Sequence, residues 1–325
     1  MPRIRFDRNL ILGLLLTAVL SACGSEKDME NESSTSKSQP ARVALVMKSL
    51  ANEYFINMME GAKAHQLENA EKYELIVNGT KNESDLAQQV SLVEQMMAAQ
   101  VDILVLAPVS SKGMLPVVKR AIDQGIDVVN IDNRFDQDVL QQMGMSVPFV
   151  GPADREGAKL VGLEVAKYLN AGDEVAIIGG LPGAYNAQQR QAGFEDAMTE
   201  SSLNIISIQS ADWESAKSAT VAAAMLSEKP NLKALLCSND SMALGAVAAV
   251  RQAGRTGDVL VVGFDNLSAA NDLVQSGELL ATIDQHGDEL AVYGIEYALQ
   301  ILYSGVIPEN IFIASKCCLY IIYFY

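Results

Sequence analysis

Short apolar runs alternate with helical patterns along the first half of the chain. Between the runs, apolar residues recur at helical spacing, as at Leu86, Val90, Val93 and Met97. Alternating strands and helices predict a parallel sheet with right-handed crossovers. The predicted strands of this half are Val43–Met47, Glu74–Val77, Ile103–Leu106 and Val128–Ile131.

The same alternation begins again after residue 151. We therefore predict an α/β fold of two doubly wound parallel-sheet lobes joined by a hinge. The first lobe comprises residues 41–151, with residues 286–313 returning to it, and the second comprises residues 152–285. The predicted helices of the second half are Asp154–Leu169, Gln188–Met198 and Ser215–Leu226, and its strands are Val175–Ile178, Ile205–Ile208, Ala234–Cys237 and Leu260–Val262.

Several predicted strands end in polar side chains. The strand Ala234–Cys237 is followed by SNDS, the strand Leu260–Val262 by GFDN, and the strand Val128–Ile131 by DNR. Open α/β sheets hold their ligands at the carboxyl ends of their strands. Carboxylates and amides that converge there predict a cleft for a neutral, polyhydroxylated molecule. Within SNDS, we expect Asp240 to cap a helix that starts at Ser241.

Composition and charge narrow the range of partners. Hydrophobic residues make up 49% of the 325 residues, which is enough for a substantial core, and the formal net charge is −16. At this charge, attraction to nucleic acid or to an anionic membrane face is disfavoured. We therefore expect no nucleic-acid partner.

The N-terminus has the pattern of an export signal. Arginines precede the apolar run Leu10–Leu20, which is too short for a comfortable membrane span and is followed by SAC. The order LSAC resembles the bacterial lipobox, which implies lipidation of Cys23; the alternative is an ordinary signal peptide with a chance cysteine. Residues 1–22 are thus a predicted lipoprotein signal peptide, and the polar, serine-rich residues 23–40 are a predicted flexible tether.

Motifs for catalysis, metal binding or cofactor binding are weak. The four cysteines of the chain are Cys23, Cys237, Cys317 and Cys318. They show neither a disulfide framework nor zinc spacing. His65 and His286 lack ligand spacing, and the glycine-rich residues 179–183 lack the lysine and hydroxyl pair of a phosphate loop. We expect a protein that is not an enzyme and that uses no cofactor.

Seven runs, in order and at their intervals, resemble the type I periplasmic sugar-binding proteins of ABC importers, in particular the ribose-binding kind. The resemblance covers residues 41–308, and the runs are VALVMKSLANEYF, VVNIDNR, NAQQRQAGFEDA, ADWESAK, CSNDSMALGA, VVGFDN and ATIDQH. LacI-type repressors share this fold but carry a DNA-binding segment where this chain has the export signal.

Together with the lipobox, the resemblance implies an extracytoplasmic solute-binding protein that is lipid-anchored, in the periplasm or outside the cell membrane. Such a protein captures a monosaccharide or sugar alcohol by hinge closure and delivers it to an ABC permease. The alternative is a sugar sensor that presents its closed form to a chemoreceptor or sensor kinase.

The resemblance also implies a set of ligand-binding residues. Trp213 matches a stacking aromatic, and Arg190 matches an arginine whose donors meet hydroxyl and ring oxygens. For Phe55 the alternative is a core position in the first helix, and for Arg190 it is a solvated surface position. The full set is Lys48, Asn52, Tyr54, Phe55, Asp132, Asn133, Arg134, Arg190, Trp213, Asn239, Asp265 and Gln285.

Two departures from the ribose-binding pattern affect the expected ligand. Lys48 stands where those proteins carry a serine, and Asn133 stands where they carry an arginine, with Arg134 displaced by one. This rearranged polar rim puts ribose itself in doubt as the ligand. A sugar or sugar alcohol is still the expected ligand class. The C-terminus also departs, because the last fifteen residues read IFIASKCCLYIIYFY. We expect residues 314–325 to form an atypical tail in place of the family's last strand.

Overall fold

A computed structural model describes residues 39–307 and 309–319. The predicted signal peptide, Cys23 and the tether up to residue 38 lie outside the described residues, as do residues 320–325. The described part of the chain contains ten helices and twelve strands. None of those helices is long and apolar enough to span a membrane.

The first lobe is a parallel sheet with helices between its strands. Its first five strands are β1 (Ala41–Ser49), β2 (Tyr73–Thr80), β3 (Ile103–Leu106), β4 (Asp127–Ile131) and β5 (Phe149–Pro152). The intervening helices are α1 (Glu53–Glu68), α2 (Leu86–Ala98), α3 (Leu115–Asp123) and α4 (Gln137–Gln142). These strands lie side by side in the order β5, β4, β3, β1, β2. All four pairings are parallel.

The second lobe repeats this arrangement. Its helices are α5 (Asp154–Ala166), α6 (Tyr185–Glu200), α7 (Ser215–Glu228), α8 (Asp240–Gln252) and α9 (Ser268–Ser276). Its first five strands are β6 (Glu174–Gly179), β7 (Asn204–Ser210), β8 (Leu232–Cys237), β9 (Leu260–Val262) and β10 (Ala281–Asp284). They are parallel, in the order β10, β9, β8, β6, β7. The prediction of two doubly wound lobes is confirmed.

The C-terminal segments divide between the two lobes. Helix α10 (Gly287–Ser304) packs on α1, β3 and β4 of the first lobe. Strand β11 (Ile311–Ile313) pairs in parallel with β5, and β12 (Lys316–Leu319) pairs antiparallel with β10. The chain therefore crosses between the lobes after β5, after β10 and after β11. Part of the predicted atypical tail is thus an edge strand of the second sheet.

The buried side of α2 differs by one position from the side that apolar spacing predicts. Gln89, Val93 and Met96 are buried, whereas Leu86 is 37% exposed. The Gln89 side chain donates to two backbone carbonyls and accepts from a third backbone group, at 2.8–3.2 Å. Because its polar atoms are paired, a glutamine occupies a core position that apolar spacing assigns to a hydrophobic residue.

Candidate ligand-binding site

A cleft between the lobes lies at the carboxyl ends of both sheets. It contains about 260 Å³ of space not occupied by protein atoms, part of which is open to solvent. The lining residues are Lys48, Asn52, Tyr54, Phe55, Glu83, Asp132, Asn186, Arg190, Trp213, Asn239, Asp265 and Gln285.

Ten of the twelve residues assigned from the sequence belong to this lining. They come together because parallel strands deliver their following residues to one edge of each sheet, and the two edges face each other. Lys48 lies near the end of β1, Asp132 follows β4, and Asp265 follows β9. The two assigned residues outside the lining are Asn133 and Arg134.

The polar side chains of the first lobe are paired one to one. Lys48 Nζ lies 2.7 Å from Asp132 Oδ2, and both side chains are almost completely buried. Asn52 Nδ2 donates to Glu83 Oε1 at 2.9 Å. Asn52 Oδ1 also accepts from the Tyr54 N–H at 3.1 Å and so caps α1. The Lys48 ammonium and the Asn52 amide therefore each have a partner that a ligand hydroxyl can share.

Glu83 titrates near neutral pH in this setting. Burial raises the pKa of Glu83 to about 7, although the nearby Lys48 charge and the Asn52 hydrogen bond favour the ionised form. The carboxyl group is therefore both an acceptor and, in its protonated form, a donor.

Arg190 anchors the polar network of the second lobe. Its Nε donates to Asp154 Oδ1 at 2.7 Å, Nη1 to the Ser238 carbonyl at 2.9 Å, and Nη2 to Gln285 Oε1 at 3.0 Å. The guanidinium carbon lies 3.9 Å from the centre of the Phe264 ring. The side chain is only 3% exposed, so the alternative of a solvated surface arginine is wrong.

Asp265 shares this network from the other side. Its Oδ1 lies 3.5 Å from Arg190 Nη1 and accepts from Gln285 Nε2 at 2.5 Å. Burial raises the pKa of Asp265 well above its ordinary value, and Arg190 opposes the shift. Burial likewise raises the pKa of Asp154 to about 6 against the same cation. Burial thus favours the neutral form of both carboxyl groups, and the Arg190 charge favours their ionised form.

Aromatic side chains from both lobes complete the cleft. Phe55 and Tyr54 come from α1, and Trp213 precedes α7. All three rings are buried and belong to the apolar core that surrounds the cleft. The Tyr54 hydroxyl and the Trp213 Nε1 are buried with no hydrogen-bond partner among the described residues. Polar atoms of this kind need a partner, and hydroxyl groups of a ligand can supply it.

Asn133 and Arg134 lie behind the cleft wall. The Asn133 side chain is fully buried and its Nδ2 donates to the Pro108 carbonyl at 2.9 Å. The Arg134 guanidinium lies 5.5–5.9 Å from the ring centres of Phe149, Tyr185 and Phe312. Of residues 132–134, which follow β4, Asp132 alone therefore lines the cleft.

The expectation that Asp240 caps a helix starting at Ser241 is wrong. Helix α8 begins at Asp240, and the capping residue is Asn239, whose Oδ1 accepts from the Met242 N–H at 2.9 Å. The Asp240 carboxylate instead accepts from Thr282 Oγ1 at 2.7 Å and from the Leu267 N–H at 2.9 Å. It therefore braces the turn between β9 and α9.

Two lining residues were missed in the sequence, Glu83 and Asn186. Asn186 lies four residues before Arg190 in the run NAQQR, so helical spacing places both on one face of α6 and could have identified it. Glu83 lies in the polar loop after β2, where no periodic pattern marks it.

A profile of the periplasmic binding protein domain matches residues 43–305. The chain belongs to the periplasmic binding protein family. A D-ribose/D-allose-binding protein of Pseudomonas aeruginosa is 54% identical over 297 residues, which cover 91% of this chain and 92% of that protein.

Two crystal structures of ABC transporter solute-binding proteins are similar to this chain. The protein from Burkholderia multivorans is 50% identical with a TM-score of 0.85, and the match covers 86% of this chain and 100% of that chain. The protein from Actinobacillus succinogenes, with bound D-allose, is 33% identical with a TM-score of 0.80, covering 86% and 97%.

Proposed function

We propose that the protein binds a monosaccharide in this cleft and delivers it to an ABC permease. The observation that supports this most is the combination of aromatic faces and a hydrogen-bonding rim in one buried cleft. A sugar ring has C–H groups on its faces and hydroxyl groups at its edge, so it matches both surfaces. Trp213 and Phe55 supply the faces, and Asp132, Arg190 and Asp265 supply much of the rim.

The charges of the cleft favour a neutral ligand. Lys48 lies 2.7 Å from Asp132, and Arg190 lies 2.7 Å from Asp154. A charged ligand would displace one of these partners and leave a buried charge unpaired, which is costly. A hydroxyl group both donates and accepts, so it can join either pair without breaking it.

Among monosaccharides, we propose D-allose and D-ribose as the first candidates. The names of the Pseudomonas relative and of the Actinobacillus complex refer to these sugars. Both sugars have the same configuration at C2, C3 and C4, so one arrangement of donors and acceptors suits both. D-Allose ranks first because it occurs in both names and because Lys48 departs from the ribose-binding pattern.

The mechanism that we propose is hinge closure, with no chemistry done on the ligand. Lining residues come from both lobes, and three chain crossings join the lobes. A ligand that contacts both lobes stabilises the closed form relative to the open form. The permease then receives sugar from the closed form, in which the two lobes have one fixed orientation that the permease can bind.

A thermal-shift panel tests the ligand class. We expect D-allose and D-ribose to raise the melting temperature, because a ligand that binds only the native state stabilises it by mass action. Other hexoses, myo-inositol, amino acids and nucleosides complete the panel. A response confined to amino acids or nucleosides would contradict the proposal.

The location that we propose is extracytoplasmic, with a lipid anchor at Cys23. The support is the LSAC order after the apolar run, together with membership of a periplasmic family. Cys23→Ser should abolish acyl labelling and release the protein from membranes or block its processing. Unchanged labelling and fractionation in the variant would reject the anchor.

A further inference from the structure

Hydrogen bonds join the two lobes directly, apart from the cleft lining. The Tyr185 N–H donates to Ser111 Oγ at 3.0 Å, and the Asn186 N–H lies 3.4 Å from Asn133 Oδ1. Both N–H groups belong to the first turn of α6 in the second lobe, whereas both acceptors belong to the first lobe. The first lobe therefore satisfies donors that every helix N-terminus leaves unpaired.

Helix α6 has no side-chain cap of its own. Its capping position is Ala184, which carries no acceptor. Two other helices at the cleft differ, because Asn52 caps α1 and Asn239 caps α8 from within their own lobes. Within α6, Asn186 Oδ1 accepts from the Ala187 N–H at 2.9 Å. The acceptors for the Tyr185 and Asn186 N–H groups are supplied across the lobe boundary.

Helix α9 repeats this arrangement at a second place. Its capping position is Leu267, which also carries no acceptor. The N–H of Ser268 donates to Glu53 Oε1 of the first lobe at 3.1 Å. The Glu53 carboxylate also complements the positive end of the α9 dipole.

The acceptors of the first lobe are held in place by their own neighbours. The Ser111 hydroxyl donates to Asn133 Oδ1 at 3.2 Å, while Asn133 Nδ2 donates to the Pro108 carbonyl at 2.9 Å. Ser111 and Asn133 are both buried. Arg134 adds a contact across the same boundary, because its guanidinium lies 5.9 Å from the centre of the Tyr185 ring.

We propose that Ser111, Asn133 and Glu53 form an interlobe latch, which holds the closed form by capping α6 and α9 from the opposite lobe. They are positioning residues, since none of them lines the cleft. In the open form, water can satisfy the same N–H groups. Loss of an acceptor therefore penalises the closed form more than the open form. The latch rests on the proposed sugar capture by hinge closure, and it would set how long the sugar is retained.

Release and capture rates of D-allose, followed by Trp213 emission in stopped flow, test the latch. We expect Ser111→Ala to raise the release rate roughly three- to tenfold, the range expected for a lost helix cap. Glu53→Ala should raise it by a smaller factor, because the Glu53–Ser268 hydrogen bond is exposed to solvent. The capture rate should change by less than about twofold, because related complexes differ mainly in release. Glu53→Gln keeps an acceptor oxygen and should restore most of the retention.

Ser110→Ala is a matched control. The Ser110 hydroxyl oxygen accepts from the Gly113 N–H at 3.0 Å within the first lobe, so it caps a turn of its own lobe. Its loss affects the open and closed forms equally. We expect Ser110→Ala to lower the melting temperature of the ligand-free protein without changing sugar release. Ser111→Ala also loses a hydrogen bond within its own lobe, to Asn133 Oδ1, but unlike Ser110→Ala it should speed sugar release.

Two failures can be told apart. If the parent protein binds no sugar of the panel, the proposed function fails and the latch falls with it. If the parent binds D-allose and Ser111→Ala and Glu53→Ala release it at the parental rate, only the latch is overturned.

Discussion

The two lobes hold their polar ligand-facing groups in different ways. In the first lobe, Lys48 has one close carboxylate partner, Asp132, and Asn52 has one, Glu83. In the second lobe, Arg190 donates to three acceptors of its own lobe and stacks on an aromatic ring. The second lobe therefore presents a guanidinium whose orientation is set before any ligand arrives.

This difference indicates that the two lobes contribute to ligand binding in different ways. A side chain held by several partners loses little freedom when a ligand binds, so it contributes orientation at low entropic cost. A side chain with one partner can rearrange as the lobes close. We therefore expect substitutions in the Arg190 network to damage the lobe itself, and substitutions in the first lobe to affect mainly the bound state.

Arg190→Ala should have the largest effect. It leaves the buried carboxyl group of Asp154 without its cation, and breaking a buried ion pair from one side costs about 3–5 kcal/mol of unfolding free energy. Sugar binding should be lost as well. Denaturant unfolding and calorimetric titration measure the two effects.

Arg155→Ala is the control for Arg190→Ala. Arg155 pairs with Asp196 at 2.7 Å, but its side chain is 50% exposed. Exposed pairs contribute little to stability, so this variant should unfold and bind nearly as the parent does. Equal losses of unfolding free energy and of affinity in both variants would mean that the buried Arg190 pair contributes no more than the exposed Arg155 pair.

Trp213→Ala should weaken sugar binding by about 1–3 kcal/mol, the range for losing a large buried apolar contact. Because Trp213 is the only tryptophan of the chain, its emission should also change with ligand and saturate at one site. Fluorescence titration of the parent and calorimetric titration of the variant check both expectations.

The competing role for Trp213 is core packing alone. The indole packs on Gly180, where an added Cβ would lie 2.1 Å from it. If packing is its only role, Trp213→Ala would lower the unfolding free energy by about 3–5 kcal/mol. Sugar affinity would then be unchanged in the variant, and the emission of the parent would not change with ligand. Trp213→Phe keeps an aromatic face but lacks Nε1, so it should retain an intermediate affinity.

Lys48→Met should separate binding from stability. The Lys48–Asp132 pair faces the cleft, so water reaches it when the lobes open. Because Lys48 has one partner and Arg190 has several, we expect a smaller loss of ligand-free stability than in Arg190→Ala, and a fall in sugar affinity of about tenfold, roughly 1.4 kcal/mol. Thermal melting and titration measure these effects.

Lys112→Met provides the comparison for Lys48→Met, because the Lys112 side chain pairs with Asp136 at 3.1 Å but is 68% exposed. It should change neither stability nor affinity. A large loss of ligand-free stability in Lys48→Met would place Lys48 in a rigid network like that of Arg190 and would remove the contrast between the lobes.

The pH dependence of sugar affinity should show the smallest effect. Burial raises the pKa of Glu83 to about 7, so the closed form binds a proton that a hydrated carboxyl group releases at lower pH. The contribution of this group to the closed form is thus present at low pH and is lost as the pH rises through 7. A sugar hydroxyl that donates to the ionised group offsets part of the loss, and we expect affinity to fall about three- to tenfold between pH 5 and 8.

Glu83→Gln tests this assignment, because the amide keeps the size and an acceptor but does not titrate. Its affinity should vary less with pH than that of the parent, as measured by titration across the same range. Lys48, Asp132 and Glu214 also act on the Glu83 charge. An unchanged pH profile in the variant would assign the dependence to another carboxyl group, such as Asp154.

The strands and the two-lobe fold could be predicted from the sequence because their signals are local. A strand covered on both faces must be apolar along its length, and the predicted limits of Ile103–Leu106 and Leu260–Val262 agree with β3 and β9. Ten lining residues followed from their positions in runs that resemble a known family. The shifted face of α2 did not follow, because a paired glutamine in the core has no apolar signal.

The direction of side chains beyond a strand end was decided by the tertiary structure. Asp132 has a backbone φ of 60°, a left-handed conformation that turns the chain sharply. Asp132 therefore lines the cleft, while Asn133 contacts the N-terminus of α6 and Arg134 lies among aromatic rings. The sequence of residues 132–134 does not show this turn.

The position of Glu83 in the cleft lining was also decided by the tertiary structure. Its loop is polar throughout, and Glu83 meets Asn52, its hydrogen-bond partner, across 31 residues of sequence. Glu83 is buried in the cleft, where residues of both lobes surround it. The sequence by itself thus determined the strands, the two lobes and most of the polar and aromatic groups at the strand ends. The packing of one lobe against the other decided which of these groups share a dry cleft and which connect the lobes, because burial and interlobe hydrogen bonds are properties of the folded pair.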